Sequence, residues 1–473
     1  MDIESKENYE LLTVKVKDFG VIKEGEVKLK PLTIFFGKNN TGKTYMGYLI
    51  WGLGNNNAKY LLNINKIDEN FKDKILPELK DIMANSNENL ENNEIKKKII
   101  EINNLKYKIN DNYIKHIFGD TELKINIPYG EISLSNIVIH GQDIIEDLGM
   151  WNIATAFIKL LEILFKKQSK NRNGEFETID LDEDLNFLIE NIVLKKLTLE
   201  SKIRDSLFIP ASKSGLVLVN KYLGKEAISS TFGEDNRKSE PLPKPIVEFI
   251  TSLPAFSDNY SEKVNEKYID IVEFLQNNIL NGKLTYDKTL NNISYQPNNK
   301  NMSLPLQYSS SLVVESSPLI LYLAYSNYID EGTLLIVEEP EAHLHPDAQR
   351  IFARAITKLI NKGIYVLLIT HSPYILQQIN NNMKLHYLEK TDKEKLNAFL
   401  NRHDYKEDEI LSPEKVAPYL FVDKGDGAII KELEIIDDEG ISYEAFYHTL
   451  LDLHNETEEL RDLIEGDDGN FEE

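Results

Sequence analysis

Residues 37–44 read GKNNTGKT and lie between the apolar run LTIFF and the stretch YMGYLIWGL, whose apolar residues have helical spacing. The two glycines, the lysine and the threonine match the pattern G-x-x-x-x-G-K-[ST] of phosphate-binding loops. In such a loop, the glycines allow successive backbone N–H groups to point at a polyphosphate near the start of a helix. The motif therefore predicts a strand, a loop and a helix that together hold a nucleotide.

The residues of this loop are the predicted contacts of ATP. Lys43 is expected to reach the outer phosphates, and the hydroxyl of Thr44 to contact a magnesium ion. An ordinary glycine-rich turn is the alternative, because a match of this length also arises by chance. The predicted cofactors are ATP and Mg²⁺, and the predicted ATP-binding residues are Gly37, Lys38, Asn39, Asn40, Thr41, Gly42, Lys43 and Thr44.

An acidic motif lies in the stretch TLLIVEEPEAHLHP, residues 333–346. Four consecutive apolar residues predict a buried strand, and two carboxylates follow at its C-terminal end, where ligands of open α/β sheets bind. Hydrolysis needs a metal ligand and a group that orients water. We therefore expect Glu338 to hold Mg²⁺ through water and Glu339 to polarise the attacking water. The alternative is an acidic pair without a chemical role.

A helix and a further strand follow the acidic motif. Pro346 predicts the start of the helix, Gly363 predicts its end, and the run IYVLLIT predicts another buried strand. His371 comes directly after that strand, where it could hydrogen-bond the terminal phosphate as a catalytic residue; a helix-capping or core histidine is the alternative. The alternation of helices and strands from about 309 to 380 is typical of an α/β sheet.

Together, the phosphate loop, LLIVEEPEAHLHP and LLITHSPYIL resemble the motifs of ABC-type ATPases of the RecF, SMC and OLD group. The resemblance is to the AAA-type ATPase subunits of bacterial anti-phage defence systems, Septu- or PARIS-like, and covers roughly residues 11–55 and 205–380. It implies an α/β ABC-type ATPase head, with a mixed sheet flanked by helices. It also implies a homodimer or higher even oligomer, because ATP in this group lies between two heads.

In such ATPases the partner head contributes a signature motif at a helix N-terminus. The candidate here is YSSSLVVESSPLILYLAY, residues 308–325, in which Ser310 and Ser311 precede an apolar helix and are predicted ATP-binding residues. A plain helix cap is the alternative. Leu312 stands where relatives usually have glycine, which puts dimer-coupled hydrolysis in question. The segment PASKSGL also resembles a family segment that usually carries arginine where Lys213 stands.

The resemblance and the shifts in composition divide the chain into four predicted parts. The phosphate-loop lobe of the head is predicted at residues 1–54, and a mainly helical insertion at 55–204. The second part of the head, with the signature, the acidic motif and the histidine, is predicted at 205–385. A small C-terminal α+β appendage with an acidic tail is predicted at 386–473. That C-terminal part contains no Asp-x-Asp pair, so we expect no Toprim nuclease domain.

Charge and composition limit the partners of the protein. The chain carries a net charge of −23, of which −15 falls between Glu432 and Glu473, with 16 acidic residues and one arginine. This tail is expected to be either a solvated end or a docking segment for a basic partner. The segment 94–116 is weakly basic, and it is expected to be either a solvated helix face or a contact for nucleic acid, which would be bound directly or through a partner. The chain contains no cysteine, its start lacks a secretory leader, and no apolar run is long enough to span a membrane, so a cytoplasmic protein is expected.

Three functions follow from these motifs. The first is an ATPase that dimerises on ATP and acts as the sensor or regulator of an anti-phage defence complex, controlling a separate effector, either a nuclease or a toxin. The second is a RecF- or SMC-like DNA-repair ATPase, which would need a basic groove across the dimer. The third is an ATP-binding scaffold with negligible hydrolysis, which Leu312 in the signature would favour.

Overall fold

The computed structural model describes residues 9, 11–55, 202–211, 213–218, 242–254, 260–261, 263–289, 292–436, 439–442 and 444–467. The helical insertion and the weakly basic segment predicted from the sequence lie almost entirely outside these residues. The helices are α1 (Lys43–Gly54), α2 (Lys244–Ser252), α3 (Ile269–Leu275), α4 (Ser311–Tyr325), α5 (Pro346–Asn361), α6 (Pro373–Thr391), α7 (Lys393–His403) and α8 (Glu444–Asp467). None of the described helices is long and apolar enough to cross a membrane.

The described strands form one large sheet and two small ones. They are β1 (Leu12–Phe19), β2 (Ile22–Leu29), β3 (Leu32–Gly37), β4 (Asp205–Ile209), β5 (Gly282–Asp287), β6 (Asn292–Pro297), β7 (Leu304–Pro305), β8 (Thr333–Glu338), β9 (Tyr365–Ile369), β10 (Val416–Asp423), β11 (Ala428–Glu432), β12 (Ile435–Ile436) and β13 (Gly440–Ile441). The large sheet has the order β1-β2-β11-β10-β3-β9-β8-β4, and β5-β6-β7 forms a separate antiparallel sheet.

The large sheet is mixed, with a parallel centre. Strands β10, β3, β9, β8 and β4 run parallel, whereas β1 pairs with β2, and β10 with β11, in antiparallel fashion. The central strands are mostly apolar because both of their faces are covered: Phe36, Val337 and Leu368 face one core cluster, and Phe35, Ile336 and Ile369 the other. Burying each large side chain contributes about 1.5–3 kcal/mol. The predicted α/β fold, with a mixed sheet flanked by helices, is confirmed.

The helix after the acidic motif has the predicted bounds. α5 begins at Pro346, and Gly363, with φ of 81°, follows its C-terminal cap. Buried residues such as Phe352, Ile356 and Leu359 cover the sheet from one side. The helix therefore returns the chain so that β9 pairs in parallel with β8.

Strands β10 and β11 belong to the large sheet, although they lie in the segment 386–473 that the sequence predicted as an appendage. They enter between β2 and β3: β10 pairs in parallel with β3, and β11 with β2. The cause is the apolar run of β10, in which Val416, Tyr419 and Phe421 are fully buried. Such a strand is stable only inside a sheet with both faces covered.

Candidate nucleotide-binding and catalytic site

The phosphate loop turns the chain sharply after β3. Gly37, Asn40 and Gly42 have φ of 132°, 62° and 90°, in the left-handed region. A Cβ atom at Gly37 would collide with the carbonyl oxygen of Phe421 in β10, so only glycine fits there. Thr41 stabilises the turn by donating from its hydroxyl to the carbonyl oxygen of Lys38 at 2.8 Å. Residues 38–40 remain exposed at the C-terminal edge of the sheet.

Lys43 supplies the positive charge at this loop. Its Nζ donates to the carbonyl oxygens of Gly37 at 2.9 Å and Lys38 at 2.6 Å, and the residue is buried. Burial lowers the pKa of the Lys43 ammonium to about 8. Three carboxylates oppose this shift, and all of them come from the acidic motif: Glu339, Glu338 and Glu341. The phosphate loop and the acidic motif are therefore close enough for their charges to interact.

Thr44 and Glu338 are in direct contact. The Thr44 hydroxyl donates to Oε1 of Glu338, the last residue of β8. Oε2 of Glu338 accepts a hydrogen bond from the backbone N–H of Ala211, just after β4, at 3.3 Å. Burial raises the pKa of the Glu338 carboxyl, and these two hydrogen bonds oppose the rise. A buried carboxylate and a hydroxyl from two distant parts of the chain thus meet at one edge of the sheet.

Glu339 has an uncommon backbone conformation, with φ of 43°. Its N–H donates to the carbonyl oxygen of Ile369 at the end of β9 at 2.8 Å, and its own carbonyl oxygen accepts from Nζ of Lys213 at 3.4 Å. The peptide groups on both sides of Glu339 are therefore held, while its side chain stays partly exposed. Non-glycine residues in this conformation cluster at active sites and switch regions.

His371 lies two residues beyond β9 and is partly buried. Its backbone N–H donates to Oε1 of Glu341 at 2.6 Å, and the Thr370 hydroxyl donates to Oε2 of the same carboxylate at 2.8 Å. Burial lowers the pKa of the His371 imidazole; Lys43 acts in the same direction, and Glu339 opposes both. The imidazole is therefore neutral at neutral pH, next to the phosphate loop and the acidic motif.

Ser310 and Ser311 lie at the start of α4. Ser310 occupies the cap position without capping the helix through its side chain, and both serines are exposed. Among the described residues, no hydrogen bond joins either serine to residues 37–44. Leu312, the departure from the family pattern, is partly buried and packs against the main core cluster.

Three residues of the site were missed or given no role in the sequence analysis. Glu341 holds the backbone at His371, and its position within EEPEAH is a signal that was available. Glu315 is an acidic residue inside the apolar helix α4, a pattern that indicates a buried cationic partner. That partner is Lys213, whose Nζ lies 2.9 Å from Oε1 of Glu315.

The site has the donor chemistry that a magnesium nucleotide requires. Mg²⁺ is usually bound through one or two carboxylates together with substrate phosphates, and Glu338 with Thr44 offers a carboxylate and a hydroxyl of this kind. Gly37 and Gly42 allow the loop to pack closely on Phe421 and Ile22, where Cβ atoms would collide. These residues would hold the ion and the phosphates, and the ion would neutralise charge that develops on them.

Solved structures similar to this chain include SMC head domains. The SMC head domain from Thermotoga maritima is 9% identical, covering 90% of this chain and 100% of that one with a TM-score of 0.33. The Smc head domain with an extended coiled coil from Pyrococcus furiosus, bound to the C-terminal domain of ScpA, is 12% identical. That comparison covers 96% of this chain and 99% of the other, with a TM-score of 0.31.

Among curated proteins, the chain is similar to "Endonuclease GajA" of Bacillus cereus strain HuB5-5, with 24% identity over 408 residues. The match covers 76% of this chain and 54% of the relative, so the chain spans about half of the relative's length. The family model described as "AAA ATPase domain" matches residues 10–376, which include the phosphate loop, the acidic motif and His371. The predicted resemblance to AAA-type ATPases is thereby confirmed: the chain belongs to the AAA ATPase domain family.

Proposed function

We propose that this protein binds ATP with Mg²⁺ at the phosphate loop and hydrolyses it. The main support is that three adjacent parallel strands, β3, β9 and β8, end at one edge of the sheet with the three motifs. β3 leads into the loop, β9 into His371, and β8 into Glu338 and Glu339. Such an edge is where ligands of α/β sheets bind.

The site residues have distinct proposed roles in hydrolysis. Lys43 exchanges its hydrogen bonds to two loop carbonyls for bonds to the outer phosphates. Thr44 and Glu338 hold Mg²⁺, Glu338 through water. Glu339, whose side chain is partly exposed, polarises the attacking water, and neutral His371 hydrogen-bonds the terminal phosphate. Positioning and electrostatic stabilisation account for most of the catalysis of phosphoryl transfer.

Dimerisation is the second element of the proposal. Ser310 and Ser311 are exposed at the N-terminus of a helix of 15 residues, where free N–H groups favour an anion. Since neither serine is bonded to the loop of its own chain, we propose that they bind the terminal phosphate held by a second copy. The active form is then a homodimer or a higher even oligomer.

We further propose that the protein is the ATP-dependent regulator or sensor of an anti-phage defence complex in the cytoplasm. The similar protein is named an endonuclease, which supports a link with nucleic-acid cleavage. The C-terminal part of the chain contains no Asp-x-Asp pair of a Toprim domain. A separate effector, a nuclease or a toxin, would then act when the regulator changes state, and nucleic acid would be contacted directly or through that effector.

Phosphate release by the purified chain tests the enzymatic part of this proposal. Lys43→Ala removes the cation of the loop and should abolish ATP binding and turnover. Lys300→Ala, which changes an exposed lysine in the turn after β6, is the matched control and should behave as wild type. If the wild-type chain binds ATP but releases no phosphate, the protein is an ATP-binding scaffold instead.

Phage plating on a host that carries the native gene neighbourhood tests the biological part. Loss of protection with Lys43→Ala, and full protection with Lys300→Ala, would support a role in defence. Equal protection by both variants would exclude an ATP-dependent role there. DNA-damage survival of the same strains addresses the repair alternative, which predicts sensitivity only in the Lys43→Ala strain.

A further inference from the structure

Lys213 is a buried cation whose bonds connect parts of the site that are far apart in sequence. The residue is 5% exposed and follows the end of β4. Its Nζ donates to the backbone carbonyl oxygens of Glu338 at 3.2 Å and Glu339 at 3.4 Å, and to that of Pro210 at 3.2 Å. One ammonium group thus holds the backbone of both carboxylates assigned to hydrolysis.

The charge of Lys213 is matched by Glu315 of α4. The Glu315 side chain is 2% exposed; its Oε1 lies 2.9 Å from Nζ of Lys213, and its Oε2 accepts the backbone N–H of Ser214 at 2.8 Å. Glu315 lies four residues, about one helical turn, after Ser311 at the start of α4. A displacement of this helix therefore changes the position of the carboxylate that holds Lys213.

The backbone of Glu339 depends on these contacts more than a regular strand residue would. Its φ of 43° places it outside the strand geometry that ends with Glu338, and three hydrogen bonds hold its peptide groups. Its N–H donates to the carbonyl oxygen of Ile369 in β9, and its own carbonyl oxygen accepts from the N–H of Ala342 at 3.1 Å and from Nζ of Lys213. Without the ammonium, the carbonyl oxygen of Glu339 loses a bond, and the direction of its side chain is less well defined.

We propose that Lys213 and Glu315 form a positioning pair that couples the place of α4, with its exposed serines, to the orientation of Glu339. Both side chains are buried, and we assign them a role that acts through Glu339. When the serines at the start of α4 bind a phosphate, the pair changes the orientation of the Glu339 carboxylate. In a dimer, the state of one nucleotide site would thereby influence hydrolysis at the other. The catalytic part of this inference rests on the proposed ATPase function.

The alternative is that the pair merely stabilises the fold, as buried ion pairs elsewhere in the chain do. A matched control exists in Glu409, which is 1% exposed and bonds to Nε of Arg354 at 2.6 Å. Glu409 contacts α5 and, among the described residues, makes no hydrogen bond or ion pair with the phosphate loop, residues 338–341 or His371. Glu409→Gln therefore removes a buried carboxylate charge without touching the positioning pair.

Steady-state kinetics of Glu315→Gln, Lys213→Met, Lys213→Arg and Glu409→Gln test the proposal. We expect kcat to fall by at least about tenfold in Glu315→Gln and Lys213→Met, with the dissociation constant for ATP within about threefold of wild type. Lys213→Arg, which keeps the charge, should recover part of kcat. Glu409→Gln should lower Tm but keep kcat. If kcat is unchanged in Glu315→Gln, or falls equally in Glu409→Gln, the pair has no positioning role.

Hydrogen exchange supplies a readout that does not depend on hydrolysis. The N–H of Glu339, bonded to Ile369, should exchange faster in Glu315→Gln and Lys213→Met than in wild type, and Glu409→Gln should not change it. If the wild-type chain shows no ATPase activity, the proposed function fails while the exchange measurement still tests the coupling. Wild-type exchange rates over residues 336–343 in both variants would overturn the proposal even if the fold is less stable. If Lys213→Met does not fold, Glu315→Gln provides the test, because glutamine has nearly the same shape as glutamate.

Discussion

At the scale of single residues, the site brings Lys43 close to three carboxylates of the acidic motif, and burial shifts the pKa values of several of these groups. Burial lowers the pKa of the Lys43 ammonium to about 8, so this lysine ionises near neutral pH. The pKa values of the Glu338 and Glu341 carboxyls move upward, also because of burial. A phosphate beside Lys43 would favour the ammonium and reverse the shift.

ATP binding should therefore be linked to proton uptake by Lys43. With a pKa of about 8, roughly three quarters of the lysine is neutral at about pH 8.5, and a bound triphosphate raises the pKa so that the lysine gains a proton. Affinity for ATP should fall as the pH rises through 8. Calorimetry in two buffers of different ionisation enthalpy measures the uptake, which should be small near pH 7 and grow toward pH 8.5. If the number of protons taken up is the same at pH 7 and pH 8.5, Lys43 does not have this role.

Replacing Glu339 by glutamine should separate binding from hydrolysis. The amide keeps the shape of the side chain but does not polarise water, so turnover should slow by a factor on the order of 10² or more while ATP affinity is retained. Phosphate release and calorimetry on the same preparation check both parts. Glu434→Gln, at an exposed position after β11, is the control. Wild-type turnover in Glu339→Gln would remove this residue from the mechanism.

At the scale of secondary-structure elements, α8 carries a seam of exposed apolar side chains. Leu453, Leu460 and Ile464 follow one another at spacings of seven and four residues, with Leu463 beside them; they are 55%, 54%, 68% and 64% exposed. Acidic residues flank this seam, and the hydrogen bonds and ion pairs described for 452–464 are all made within the helix, such as that from Arg461 to Glu458. An apolar seam with an acidic flank fits a partner surface that is apolar and basic.

We predict that the double change Leu453→Ser and Leu460→Ser weakens capture of the effector by at least about tenfold, because two large apolar contacts are lost. ATPase activity should stay at the wild-type level, since the nucleotide motifs lie before residue 373. Asn455→Ser, on the opposite side of the helix, is the control. The measurement is capture of the partner from the native host at two salt concentrations. Because salt screens attraction between the acidic helix and a basic partner, capture should be weaker at the higher concentration. Equal capture by the double variant would make α8 a solvated end.

At the scale of the whole molecule, the phosphate loop and the signature serines lie on different elements of one chain. The loop lies at the C-terminal edge of the parallel strands, whereas Ser310 and Ser311 lie exposed at the start of α4 and are not bonded to that loop. Serines that bind a phosphate held by a second copy would be exposed and unbonded in this way. Leu312 packs against the core, and its side chain is therefore partly withdrawn from the surface that the two serines present.

ATP should therefore dimerise the Glu339→Gln protein, in which hydrolysis is slow. Adding Ser310→Ala and Ser311→Ala should abolish this dimer, because the contacts with the terminal phosphate of the second copy are lost. Ser303→Ala, an exposed serine that precedes β7, should leave the dimer intact. Sedimentation velocity with and without ATP measures the mass. A dimer that persists in the serine variant would place the interface elsewhere.

Local patterns in the sequence were sufficient to predict the elements of this fold. The glycine spacing of residues 37–44 and the apolar runs before Glu338 and His371 predicted the loop and two central strands, and these runs are buried on both faces. Pro346 and Gly363 marked the bounds of α5. Such features depend on residues within a few positions of one another, and backbone geometry and side-chain periodicity are set at that range.

Long-range pairing decided the rest, and no local pattern records it. Apolar strands resemble one another in sequence. The position of β10 and β11 between β2 and β3 therefore follows only from how the whole sheet assembles. The same holds for the ion pair between Lys213 and Glu315, 102 positions apart, and for the carboxylate of Glu341 at the backbone of His371. The sequence alone determined which chemical groups the protein carries and on which elements they lie. The tertiary structure decided which of them meet, because burial forces each charged group to find a partner that only the folded chain brings near.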